Sequence, residues 1–182
     1  LCMQNFGELA AAEQIANKGI DVLAPVFVDG AGDSDSVAWE AYANLKQLLG
    51  GIQISTGRME EALISFRESK DVYEKRRASV PESHETLARL AESYREMSDA
   101  CQQLGDVARQ EDYSYQALEL YRMLVTQFPD NRKFSEGLTW ACYDRSYAHE
   151  FFERTRQAIE EMTEAVELAG ELAQAYPLSD EF

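Results

Sequence analysis

The chain has 182 residues, 33 of them acidic and 17 basic, for a formal net charge of −16. With 45% hydrophobic and 27% charged residues, it belongs with globular rather than disordered chains. Such acidity repels phosphate backbones and anionic lipids, which argues against nucleic-acid and membrane partners; it suits a basic protein partner, and it also serves plain solubility.

The longest apolar run, "VLAPVFV" at 22–28, is far too short to span a bilayer. The start, "LCMQNFGELA", lacks the basic and extended apolar regions of a secretory leader. Cys2, Cys101 and Cys142 are odd in number and show no framework spacing, so they read as core thiols in a reducing, cytoplasmic setting. The chain does not begin with Met, and we expect it to be part of a longer protein.

Residues 4–24 are predicted as one helix, the second of a pair whose first is missing. "VDGAGDSDS" at 28–36 follows as a polar, glycine-rich loop. From residue 36 onward the pattern becomes periodic. Pro81, Pro129 and Pro177 keep one interval (129 − 81 = 177 − 129 = 48), although the chain holds only four prolines. Two residues after each proline stand Ser83, Asn131 and Ser179, and the matching earlier position is Asp35. All four belong to the class that caps helix N-termini. Gly57 aligns with Gly105, which suits the positive φ of a tight turn between helices.

Apolar stripes share this register. Leu87, Leu90, Tyr94, Met97, Cys101 and Leu104 line one face of a first helix. The second helices carry Ser69, Tyr73, Arg76 and Val80, then Ala117, Tyr121, Leu124 and Phe128, then Ala165, Ala169, Leu172 and Tyr176. Spacings of three and four put each set on one side of a helix. The predicted unit is therefore helix A, short turn, helix B of roughly 22 residues, and a proline-ended loop. The units run 36–82, 83–130 and 131–182, preceded by a half unit and loop at 4–35. The whole chain is read as a single repeat domain of about seven helices, and "PLSDEF" at its end reads as the start of another.

These residues resemble the tetratricopeptide repeat (TPR) family. In its pattern a glycine starts the turn, a small residue opens helix B, an aromatic follows four later, and a proline closes. Gly57, Ala62, Phe66 and Pro81 fit it. Gly50, Ser98 and Ser146 hold the small position where the two helices meet. The 48-residue interval exceeds the family's usual 34, Glu153 replaces the turn glycine, and Gln110 stands at a small position. The resemblance covers roughly residues 36–182. It implies an all-α, right-handed solenoid of antiparallel helix pairs, without catalysis or cofactor, that binds a peptide or protein domain in the groove lined by the A helices. Long-unit arrays resemble scaffold or sensor segments of bacterial multidomain proteins, so a structural or regulatory segment with mainly intramolecular contacts is the alternative.

By register, the resemblance places Asn44 and Gln47, with Gly51 and Ser55, in the groove of the first unit. Glu92, Arg95 and Asp99, with Gln103, follow in the second, and Trp140, Tyr143, Tyr147 and Phe151 in the third. The aromatic set has two readings. It packs against a following repeat or a partner copy, or it anchors a bound peptide with large, rigid contact area. The mixed charges of the second set are those of a solvated face or of a charge-reading groove. Asn44 and Arg95 only partly echo the family's carboxylate clamp. The basic run Lys75, Arg76, Arg77 suits a helix C-terminus, and the glutamates after residue 156 suit a solvated face or a surface for a basic partner.

Candidate chemistry is sparse. Cys101 and His149 occupy one register of neighbouring units, but on the core-facing stripe, where a thiol lacks substrate access. Cys142 adds no zinc spacing. Asp29, Asp33 and Asp35 hint at a calcium loop without the required glycine and terminal glutamate. We therefore expect no metal, no cofactor and no catalytic residue.

Overall fold

The computed structural model describes residues 2–28, 36–81 and 83–176. Among them lie seven helices and no strand. They are α1 (Cys2–Val28), α2 (Ser36–Ser55), α3 (Met59–Ser79), α4 (His84–Leu104), α5 (Val107–Gln127), α6 (Arg132–Phe151) and α7 (Thr155–Ala175). None is long and apolar enough to cross a membrane. The chain divides into two compact units, 1–81 and 82–182. In the first, α1 packs on α2 and α2 on α3. In the second, α4 packs on α5, α5 on α6, α6 on α7, and α4 also touches α6.

The interval seen in the prolines is the interval of the backbone. The B helices α3, α5 and α7 begin at 59, 107 and 155, each 21 residues long. Each ends one residue before an aromatic or valine whose amide bonds four residues back: Val80 to Arg76, Phe128 to Leu124 and Tyr176 to Leu172, at 2.8, 2.8 and 2.9 Å. Those three residues have φ near −130° and ψ of 77°, 66° and 66°. The cause is steric, because a following proline drives its predecessor out of the helical region. Ser83 then caps α4 by accepting from the Thr86 amide, and Asn131 caps α6 by accepting from Lys133. Asp35, Pro177 and Ser179 lie outside the described residues.

The turns between A and B helices also superpose in register. Gly57, Gly105 and Glu153 have φ of 77°, 73° and 54°. Around them the same two bonds recur: Arg58 to Gln53, Asp106 to Cys101 and Arg154 to His149, with the preceding amide closing three residues back. These left-handed residues satisfy carbonyls that a helix end would otherwise leave open. Glu153 adopts the glycine conformation without being glycine, because the turn hydrogen bonds on either side impose it.

The crossing of each hairpin explains its small residues. At Gly50 a β-carbon would lie 2.5 Å from Cε1 of Phe66, whose ring is buried. Ser98 is buried in the same register and donates to the Gln110 carbonyl at 3.3 Å, and Ser146 is buried likewise. Gln110, the large residue at a small position, is accommodated fully buried. Between α5 and α6, Gly137 admits Tyr121, whose Cε1 would stand 2.1 Å from an added β-carbon. The stripes of α4 and α5 are the core: Leu87, Leu90, Met97 and Cys101 face Ala117, Leu118, Tyr121 and Leu124 in burial. That area dominates stability, at about 1.5–3 kcal/mol per large apolar side chain.

One element departs from expectation. The helix predicted over 4–24 runs from Cys2 to Val28, straight through Pro25. Proline removes one helical donor and frees the carbonyl four residues back. Here both Pro25 and Asp21 are exposed, so the freed carbonyl is on the solvent side, where it costs little, and the helix continues. α1 is held to unit 1 by Ala16 and Ile20 in the core, by Gly19 against Leu45, and by Arg58, which donates to both carboxylate oxygens of Glu13 at 2.8 and 2.7 Å.

Candidate protein-interaction face

In unit 2, α4 and α6 lie side by side and place most of the expected groove residues on partly exposed positions. Trp140 is 57% exposed and meets Tyr143 edge-on, with ring centroids 6.0 Å apart at 86°. Tyr143 in turn lies 5.1 Å from Tyr147, and their hydroxyls are 3.3 Å apart. The three rings thus form a ladder along the outer side of α6. Its spacing of three and four follows from helix geometry. Phe151 belongs to the same helix, and its side chain lies outside the described residues.

On α4 the charged residues of the groove are half-buried. Glu92 accepts from Arg89 at 3.2 Å, and Asp99 accepts from Gln103 at 3.0 Å. Arg95 donates to Glu96 at 2.8 Å and approaches Asp144 of α6 at 3.9 Å. Asn44 and Gln47 sit on α2 in unit 1, both half-buried. Asn44 accepts from the Tyr73 hydroxyl at 2.9 Å, which ties it to its own hairpin.

Asp144 is the residue that stripe counting passes over, because it lies between Tyr143 and Arg145, off the expected groove line. Its signal in the sequence is register: it stands 48 residues after Glu96, and the two acids flank the contact between α4 and α6. Burial pushes the Asp144 carboxyl up to about 7, against the opposing pull of Arg95 and with help from Asp99 and Glu96. Burial likewise raises Glu96. The Oδ2 of Asp144 is buried and accepts no hydrogen bond. Glu96, Asp99 and Asp144 thus outnumber Arg95 on this face, burial disfavours the charged form of Glu96 and Asp144 until a cation joins them, and the edge-on and tilted rings lie beside them. Such a surface favours a cationic side chain, which gains both ion pairing and cation–π contact.

Other polar groups cluster between α5, α6 and α7, where the His149 Nδ1 is buried without a hydrogen bond. Arg145 donates to the Glu111 carbonyl at 2.8 Å, and Arg154 holds the Glu111 carboxylate. His149 is buried beside them, and burial followed by these two arginines lowers its basicity. Cys101 is wholly buried, as the stripe reading anticipates. Cys142, Glu161 and Glu164 bring three candidate ligand atoms within 4.8 Å of one another. Burial, reinforced by both glutamates, pushes the Cys142 thiol up to about 12. Arg122 already sits on the glutamates at 3.3 and 2.6 Å, so its guanidinium fills the place a cation would take. The loop with Asp29, Asp33 and Asp35 lies outside the described residues.

No protein-family model matches this sequence, and no curated protein matches it.

Proposed function

We propose that this chain is a protein-binding module of helical hairpins, TPR-like in plan, that acts without chemistry of its own. Its face on α4 and α6 takes a peptide or domain segment bearing a basic side chain. The observation that carries this reading is the ladder Trp140–Tyr143–Tyr147, exposed at its first two rings and half-buried at the third, beside the acids Glu96, Asp99 and Asp144, which outnumber Arg95. Exposed Trp and Tyr are the residue types that dominate binding energy at protein interfaces. Buried free thiols at Cys101 and Cys142 suit a reducing compartment such as the cytoplasm.

The test is capture of peptides from a displayed random library, followed by truncation of the ladder. Trp140→Ala and Tyr147→Ala are expected to weaken a captured basic peptide about 30-fold, on the order of 2 kcal/mol. The melting temperature should stay within a degree or two for Trp140→Ala, whose ring is 57% exposed. Equal losses of stability in both variants would make the rings core and remove the anchor. The second reading, a regulatory segment of a larger protein with intramolecular contacts, is favoured by the apolar side of α7, which nothing covers among the described residues.

A further inference from the structure

The 48-residue register allows one helix to be compared with another at equivalent positions. α6 covers α5, and the covered residues are shut away: Ser114, Leu118 and Tyr121 are at most 7% exposed. Their counterparts on α7 are Met162, Val166 and Ala169. Val166 is 65% exposed where Leu118 is 1% exposed, and Ile159, two turns earlier, is 61% exposed. α7 has the apolar side of a covered helix and no cover among the described residues. Together with α6 it forms an open groove of about 740 Å³, whose walls include Tyr147, Ile159, Met162 and Val166.

Charge says what fits there. Glu150 and Glu167 line the groove and Glu171 stands beyond it. None of the three forms an ion pair among the described residues. The single basic residue past the first position of α7, Arg156, is already paired with Glu160 at 3.0 Å. The covered helix α5 shows how such a seat is filled: Arg145 of α6 reaches down to the Glu111 carbonyl while Gly137 admits the Tyr121 ring. A second copy of this chain, with a net charge of −16, would be repelled.

We propose that the groove between α6 and α7 is a docking site for a basic amphipathic helix of a partner protein, seated on α7 as α6 is seated on α5. Its apolar residues at i, i+3 or i+4, and i+7 would cover Ile159, Met162 and Val166, and its lysines or arginines would face Glu150 and Glu167. This surface is separate from the acids of α4 and shares only Tyr147 with the ladder.

The probe is a fluorescein-labelled peptide with the sequence of residues 132–151 carrying E136K, D144K, E150K and C142S. Its control keeps the apolar residues and instead carries R132E, K133E, R145E and C142S. Fluorescence anisotropy against the full chain should show binding of the basic peptide and at least tenfold weaker binding of the acidic one. V166D and I159D, at exposed positions, should each weaken the basic peptide at least tenfold with helicity and melting temperature unchanged; E150K with E167K should do the same through charge. W140A should leave this affinity alone, which separates the result from that of the ladder. Equal binding of both peptides, no binding of either, or no effect of V166D overturns the proposal. So does a concentration-dependent dimer that V166D abolishes, since a second copy would then be the occupant.

Discussion

Two adjacent glycines in one helix make the sharpest test of how the hairpins pack. Gly50 and Gly51 both lie inside α2, so helix propensity alone predicts that alanine stabilises at either site by about 1 kcal/mol. Packing separates them. A β-carbon on Gly50 would stand 2.5, 2.7 and 2.8 Å from three atoms of the Phe66 ring, whereas one on Gly51 meets nothing within 4 Å. Carbon atoms rest about 3.5–4.0 Å apart, so the ring must retreat by roughly 1 Å. Phe66 is 1% exposed, and its neighbours leave it nowhere to go. Overpacking of this kind costs about 1–3 kcal/mol; after the propensity gain, Gly50→Ala should be destabilising by up to about 2 kcal/mol. Gly51→Ala should stabilise by about 0.5–1 kcal/mol. With a urea slope of about 2 kcal/mol/M, the two midpoints should differ by roughly 1 M. Urea titration followed by circular dichroism reads this directly. If both alanines shift the midpoint upward by similar amounts, the hairpin does not close against Gly50 and the account of the small positions is wrong.

Other outcomes follow from single residues. Glu153 holds φ of 54° at a position where two other units use glycine. Glu153→Gly should therefore stabilise by about 0.5–1 kcal/mol and Gly105→Ala destabilise by about 1 kcal/mol; thermal melts of both variants check the pair, and a destabilised Glu153→Gly would contradict the strain. Asp144 carries a folded pKa of about 7, raised by burial from an ordinary 3.8. The sign follows: its protonated form is favoured by folding, so this contribution is fully present below about pH 4 and is lost as pH rises through 7. Asp144→Asn should then raise stability at pH 8 by on the order of 1–3 kcal/mol and flatten the fall between about pH 4 and 7. Denaturation midpoints across that range decide it, and identical slopes for both proteins would refute the buried ionisation.

Much of the fold was legible because its determinants are local. A proline constrains the residue before it wherever it occurs, so Pro81 and Pro129 announce the ends of α3 and α5 without any tertiary information. Ser83 and Asn131 cap from within their own turns, and Gly57 and Gly105 answer to their own φ. Glu153 shows where local reading weakens: the turn persists because neighbouring hydrogen bonds impose it, and side-chain identity alone does not reveal that. The extent of α1 was not legible either. Whether a proline breaks a helix depends on whether the freed carbonyl finds water, and that depends on which side of Pro25 faces the core.

The candidate site divides in the same way. Periodicity alone determined that Trp140, Tyr143 and Tyr147 share a side of α6, because a helix repeats every 3.6 residues whatever surrounds it. Only the packing of α4 beside α6 brought Glu96, Arg95 and Asp144 together, and only burial there lifted one carboxyl toward neutrality. Likewise the sequence makes Leu118 and Val166 equivalent, yet α6 lies over the first and the second is bare. Spacing along a chain fixes direction around one helix axis; desolvation and exposure are set by the neighbours that other helices supply.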